Sequence, residues 1–272
     1  MQSIYPSVES KHEDSKSAAD SSLLVARMQG VYRRAVAQYC YRRPFVVKPD
    51  APLISFSFDD FPRSALTVGG SILKSHGVSG TYYAALGLLG RTIETGQMFD
   101  ADDLYQLVDQ GHELGCHTFG HCHAWNTPPL AFEQSVLENQ RTLHELIPSV
   151  SMPTLSYPIS VPRAGTKEKV SQYFACSRGG GQKFNAGVAD LNYLSAFFIE
   201  QCRECPEKIY RIIEQTCQSR GWLIFATHDI GNNHTPWGCS PELFEQIVRF
   251  SVSSGARILP VFQAYQALAS KF

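Results

Sequence analysis

The chain has 272 residues, 43% of them hydrophobic and 18% charged, with 24 Lys and Arg against 25 Asp and Glu for a formal net charge of −1. A balance this near zero excludes nucleic-acid binding that rests on massed Lys and Arg, and the low charge with 11% aromatic residues excludes a wholly disordered chain. No stretch reaches the roughly 18 apolar residues that span a bilayer; the nearest, Tyr82 to Leu89, is interrupted by Gly87.

Residues 1–22 are rich in serine and charge and lack the apolar core of a secretory signal, so they read as a disordered leader. The expected location is therefore the cytoplasm, with the eight cysteines as free thiols. Over residues 23–49, Leu24, Met28, Val31, Tyr32, Ala35 and Tyr39 form a stripe at helical spacing, with Arg27, Arg33, Arg34, Arg42 and Arg43 around it and Pro44 as its stop. Two accounts stand. One is an added helix packed on the main domain; the other is a basic amphipathic helix at residues 23–43 resting on an anionic membrane surface at the inner face.

Residues 50–272 read as one domain in which short apolar runs alternate with helical patterns. Strands are expected at 53–58, 80–85, 113–116, 154–157, 173–177, 222–226 and 257–261. Helices are expected to start at the Asp100 cap, near Leu130, at Pro206 and at the Ser240 cap. Alternation of this kind implies crossover units and a mainly parallel sheet or barrel.

In such folds functional groups gather at the carboxyl ends of strands, and three places fit. Ser55 to Asp60 is an apolar strand ending in the adjacent carboxylates Asp59 and Asp60, which repel unless one meets a cation or a proton. His117 and His121 lie four apart, so one helical turn would put both imidazoles on one face about 6 Å apart along the axis, a spacing that lets two neutral imidazoles bite one metal ion. Gly221 to Asp229 is a buried-type strand that delivers His228 at its end, placed to trade protons or, alternatively, bonded to Asp229 as a core histidine.

Together these segments resemble the polysaccharide deacetylase family, the NodB-homology domain of carbohydrate esterase family four. Ser57-Phe58-Asp59-Asp60 is similar to its first motif, His117-Thr118-Phe119-Gly120-His121 to its second and Ile224 to His228 to its last; the resemblance runs from about Asp50 to Phe262. It implies an α/β fold, a distorted (β/α) barrel to which the N-terminal helix is added. It also implies that Asp60, His117 and His121 hold one divalent metal ion, that Asp59 is the general base, and that His228 is the acid which protonates the departing amine. Two imidazoles and a carboxylate suit zinc, with cobalt, nickel or manganese as alternatives. The backbone N–H of Tyr157 or a neighbour would receive the oxyanion, and Tyr157, Arg178 and Trp237 would touch substrate.

The third family motif normally begins with an arginine that orients the catalytic Asp; here Ser156 stands in its place, with Arg163 or Arg178 as sources of charge from elsewhere. No clear fourth motif is present, Asp190 being the only nearby carboxylate. Ser177 to Gln182 lacks the lysine of a phosphate loop and reads as a flexible loop over the cleft, with Arg178 able to meet an anionic substrate group. Trp125 and Trp237 can each stack on a sugar. Cys202-x-x-Cys205 is a weak signal for zinc or redox work. The expected activity is hydrolysis of an N-acetyl or N-formyl group on an N-acylated sugar, oligosaccharide or lipid-linked glycan precursor. Hydrolysis of a small amide or ureide on the same fold, and a catalytically inactive carbohydrate-binding relative, are the alternatives.

Overall fold

The computed structural model describes the backbone over residues 10–270 and side chains from residue 25 onward. Helix α1 (Ser10–Tyr39) leads into β1 (Pro44–Val47) and β2 (Leu53–Phe58), followed by α2 (Ser71–Ser75), β3 (Thr81–Ala84), the small hairpin β4 (Thr92–Ile93) and β5 (Gly96–Gln97), α3 (Ala101–Asp109) and β6 (Glu113–Cys116). Then come α4 (Pro129–Leu146), β7 (Thr154–Ser156), α5 (Ala164–Val170), β8 (Cys176–Arg178), β9 (Gly187–Asp190) and β10 (Phe197–Phe198). The chain ends with α6 (Pro206–Ser219), β11 (Trp222–Thr227), α7 (Pro241–Ser253), β12 (Arg257–Ile258) and α8 (Val261–Ala269).

The main sheet runs β10-β11-β2-β3-β6-β7-β8, with β12 also paired to β2, and every pairing in it is parallel. Helices cover its faces, so it is a curled α/β half-barrel. Strands β2 and β11 are buried at every position, as parallel strands covered on both faces must be. Their few polar atoms are spent inside: Trp222 Nε1 donates to Ser55 Oγ at 3.0 Å and Ser57 Oγ to the Phe225 carbonyl at 2.6 Å. On one face Phe58 stacks on Tyr82 with centroids 4.6 Å apart.

The punctuation of the helices is that expected. Asp100 caps α3 in a full capping box, Pro206 opens α6, and Ser240 caps α7. The N-terminal segment departs from expectation. Residues 1–9 of the expected leader lie outside the described residues, and from Ser10 the helix runs straight through the expected boundary at 22. Residues 44–47, expected as linker, pair antiparallel with β9.

Helix α1 docks by its C-terminal end rather than by its apolar stripe. Lys167 Nζ, fully buried, donates to the Ala37 and Cys40 carbonyls and to Asp190 Oδ2, each at 2.7 Å. That satisfies helix-end carbonyls and places a cation at the negative pole of the helix. Arg43 adds bonds to the carbonyls of Ser171, Phe174 and Ala175. Met28, Val31, Tyr32 and Tyr39 of the stripe are exposed instead of packed. No helix among the described residues is long and apolar enough to cross a membrane.

Candidate metal centre and its cleft

The carboxyl ends of β2, β6, β7, β8, β10 and β11 converge on a cavity of about 780 Å³. The eight residues expected to act as metal ligands, acid, base or substrate contacts line it: Asp59, Asp60, His117, His121, Tyr157, Arg178, His228 and Trp237.

The turn after β2 aims the carboxylates by adopting left-handed backbone at Asp60 and Phe61, each at φ 62. Such conformations cost on the order of 1–3 kcal/mol each. Phe61, for which the conformation is least natural, is held there by stacking on Phe99 at 4.7 Å in the core. Asp60 Oδ2 accepts from Thr95 Oγ1 at 3.0 Å. Its other oxygen, Oδ1, faces His117 Nε2 at 3.4 Å and His121 Nε2 at 3.0 Å, yet is a buried atom without a hydrogen bond. The three donor atoms lie within 4.8 Å of one another. A carboxylate oxygen without a hydrogen bond between two imidazole nitrogens is a donor set that could hold a divalent transition-metal ion, and the residues present fit it.

The two histidines do not share a helix face as the spacing suggested. Residues 117–121 form a tight turn with Thr118 at φ 58 and His121 at φ 51, which brings the rings to 5.0 Å between centroids. Helix α4 pins this turn: Phe119 N–H and Gly120 N–H donate to Ser135 Oγ at 3.0 and 3.2 Å. His117 Nδ1 meets the Ser156 carbonyl at 2.9 Å, which fixes the tautomer that leaves Nε2 for a metal. Burial works to raise the Asp60 carboxyl, but the two imidazoles outweigh it and hold it well below the usual carboxylate range. His121 is raised in turn, its burial overcome by Asp60.

Asp59 is buried beside this centre but outside the donor set. Its Oδ1 is bonded by Arg178 Nη2 at 2.5 Å. Burial pushes its carboxyl up, while the charges of Arg178, His117 and His228 prevail and keep it below its ordinary value. Arg178 thus supplies a positive charge to Asp59 from the strand beside Ser156: in the β7–β8 ladder Ser156 pairs directly with Arg178. Its guanidinium lies 4.5 Å over the Tyr83 ring. With Arg178 committed to Asp59, its expected role toward an anionic substrate group is corrected, and Arg163 is ruled out as the source, because it donates to the Trp125 carbonyl.

Other expectations change as well. Tyr157 N–H is spent on the Arg178 carbonyl at 3.0 Å and Tyr157 Oη on the Asn192 carbonyl at 3.2 Å, so neither serves an oxyanion. His228 is not bonded to Asp229, whose oxygens take Thr235 N–H and Oγ1; its Nδ1 meets the Trp237 carbonyl at 3.2 Å. Trp125 lies under α1, edge-on to Tyr32 at 6.1 Å with Arg33 5.3 Å from its ring. Asp190 is a structural clamp for Lys167. The glycine run is no free loop: a Cβ on Gly179 would sit 2.2 Å from the Tyr193 ring. Cys202 and Cys205 are free thiols.

Sequence reasoning missed Thr95, Ile159 and Glu200. Ile159 lines the cavity at φ 67. Glu200, after β10, also lines it, with a buried Oε2 lacking a partner; burial, with the charge of Asp59 adding to it, pushes this carboxyl up to about 8. None of the three sits in a motif that spacing alone exposes.

Residues 47–173 match the sequence profile of a family described as polysaccharide deacetylase. No curated protein matches the chain. Among solved structures, the chain is similar to peptidoglycan deacetylase PdaC from Bacillus subtilis, with a TM-score of 0.56 and 12% identity over 83% of this chain and 95% of that one. A family 4 acetyl xylan esterase from Clostridium thermocellum in complex with cobalt gives a TM-score of 0.55 and 16% identity over 79% and 90%. A family 4 pseudoenzyme from Bacillus anthracis gives 0.55 and 11% over 80% and 66%. At these identities the likeness is one of fold.

Proposed function

Residues 47–173 match the polysaccharide deacetylase family, and from that premise we propose that this chain is a metal-dependent hydrolase removing an N-acetyl or N-formyl group from an amino sugar in a glycan or glycan precursor. The observation that carries the reading is the orphaned Asp60 Oδ1 set between His117 Nε2 and His121 Nε2, with the ionised Asp59 next to it.

The chemistry that a divalent ion supplies there, zinc before cobalt, nickel or manganese, is Lewis acidity toward the acyl carbonyl and a water made acidic near neutral pH. Asp59 takes the proton from the attacking water, and Arg178 holds that carboxylate ionised and aimed. With the Tyr157 N–H engaged, the neighbouring N–H of Ile159 on the cavity wall is the donor for the oxyanion. His228, tethered through Nδ1 to the Trp237 carbonyl, gives a proton to the departing amine, which leaves poorly without one. Trp237, 37% exposed at the cleft, offers its ring for stacking on the sugar, and Tyr157 closes the wall. Contact of residues 23–43 with an anionic membrane surface from the cytoplasmic side belongs to the same proposal, resting on the exposed Val25, Met28, Val31 and Tyr39.

The likeness to a pseudoenzyme, together with serine at the usual arginine position, gives the inactive carbohydrate-binding reading its footing. Zinc-reconstituted protein assayed for acetate and formate release across N-acylated glycans decides between them. Asp60→Ala and His121→Ala should lose the metal; Asp59→Asn should keep one equivalent of metal and lose about 10²–10⁴-fold in turnover. Full metal content with no release from any glycan would overturn the enzymatic reading.

A further inference from the structure

The catalytic cavity does not end at the barrel. It shares the wall formed by Arg34, Gly180, Gly181 and Tyr193 with a second hollow of about 320 Å³. Three cations line that hollow: Arg34 and Arg42 from α1 and the turn after it, and Lys183 from the segment after β8. Its one carboxylate, Asp190, is consumed by Lys167 Nζ at 2.7 Å and by the N–H groups of Arg43 and Asn192. Among the described residues Arg34, Arg42 and Lys183 form no ion pair, and all three are exposed. The other basic groups near this region are committed elsewhere: Arg178 to Asp59, Arg43 to three carbonyls, Lys167 to Asp190 and the end of α1. Three like charges gathered around one concavity repel one another, and a bound anion relieves that repulsion.

The scaffold that holds them is rigid where it needs to be. Lys167 and Arg43 fix the end of α1 against the barrel, and the glycine run lets the backbone lie close on its neighbours: a Cβ on Gly181, at φ 145, would come within 3.1 Å of Ser195 Oγ. Arg34 and Arg42 precede the family-matched residues 47–173, and Lys183 follows them. The hollow is thus lined by residues outside the matched segment, from α1, the turn after it and the chain between Gly180 and Ser195.

We propose that this hollow is a subsite for an anionic oxygen group, a phosphate or a carboxylate, carried as a substituent of the sugar whose acyl group is removed. The proposal rests on the deacetylase reading for the placement of that sugar. It explains why α1 is anchored so firmly beside the cleft, and it makes charge on the substrate the property that this chain selects.

The test uses the full-length protein freed of metal by chelation, so that phosphate cannot report on Asp60, His117 and His121. Titration calorimetry at low ionic strength compares N-acetylglucosamine, N-acetylglucosamine 1-phosphate and N-acetylmuramic acid. At least one charged sugar is expected to bind about tenfold or more tightly than the neutral one, and which of them does so identifies the anion as phosphate or carboxylate. The preference should shrink as salt rises. It should vanish in an Arg42→Gln/Lys183→Gln variant, whose affinity for the neutral sugar is unchanged because neither residue lines the catalytic cavity; both side chains are exposed, so the fold survives the substitution. Equal binding of charged and neutral sugars by the wild type, or a preference that persists in the variant, overturns the proposal. Because no turnover is read, failure here leaves the deacetylase reading standing, and failure of hydrolysis leaves the anion subsite standing.

Discussion

Asp59 shows how a single contact sets the chemistry of a residue. A carboxylate buried this deeply would ordinarily be driven toward its neutral form, which is useless as a base. The Arg178 guanidinium reverses that, ahead of smaller contributions from His117 and His228. Removing the positive charge must therefore raise the Asp59 pKa, and because the base acts only when ionised, the acid limb of the pH profile for kcat/KM must move to higher pH. Arg178→Met is expected to shift that limb upward and lower kcat by about 10²-fold or more at neutral pH, while metal content stays at one equivalent; Arg178→Lys should recover part of the shift. A limb that does not move would mean that Arg178 is only a packing residue. Gly115 offers an independent route to the same readout. A Cβ there would lie 2.4 Å from the Tyr83 ring that carries Arg178 on its face, so Gly115→Ala should displace both and move the limb in the same direction by less.

At the scale of elements, what could be read from the chain was what is local. Strands 53–58 and 113–116 are found at the expected residues, because each is an apolar run between turn residues, and the caps at Asp100 and Ser240 are set by their own hydroxyl or carboxyl oxygens. The donor set of the metal centre was legible for the same reason: Asp60, His117 and His121 sit in short motifs at strand ends. The helical placement of the two histidines was not, since a turn pinned by Ser135 from another helix decides it. Nor was the role of Arg178, since it depends on which residue of β8 falls beside Ser156 across the ladder, and β8 begins at Cys176 rather than at Tyr173. Helix α1 is the same lesson at larger size. Its stripe allowed a packed or a membrane-facing helix, but its anchorage comes from a lysine 127 residues distant from Cys40. Replacing Lys167 with Met would leave Asp190 buried without its cation and two helix-end carbonyls without a donor. Breaking a buried pair from one side costs about 3–5 kcal/mol, and chemical denaturation should show a loss of that order. Lys167→Met/Asp190→Asn should be less destabilised than the sum of the two single variants, since the pair is coupled. Simple additivity would show that the clamp is not the anchor.

The whole molecule registers its buried acids and bases in the pH at which it is most stable. Glu113, which accepts the Phe262 N–H at the start of α8, is pushed by burial up to about 7, and Glu200 to about 8, from an ordinary 4.5. An acid held protonated by the fold contributes stability that is complete below its unfolded pKa and is lost as pH rises through the folded value. The loss therefore runs from about 4.5 to 8. His112 acts in the opposite sense. Buried as the neutral acceptor of the Gly80 N–H, it is pushed down to about 4 from 6.5, so its contribution is lost as pH falls through that interval. Asp59 and Asp60, held low, lose theirs only below the ordinary 3.8. Between 4.5 and 6.5 the two acids work against the lowered His112 and His123, and above 6.5 the loss of the raised His121 adds to that of the acids. Metal-free protein should therefore melt at progressively lower temperature as pH is raised from about 5 to 8. A Glu113→Gln/Glu200→Gln variant should lose most of that slope, and an undiminished slope would place its origin in other groups. Saturating zinc acts with the other sign, because imidazole binds metal only without its proton and affinity rises with pH. The difference in melting temperature between zinc-loaded and chelated protein should consequently widen as pH rises from 5 to 8, and should close entirely in Asp60→Ala, where the donor set is broken.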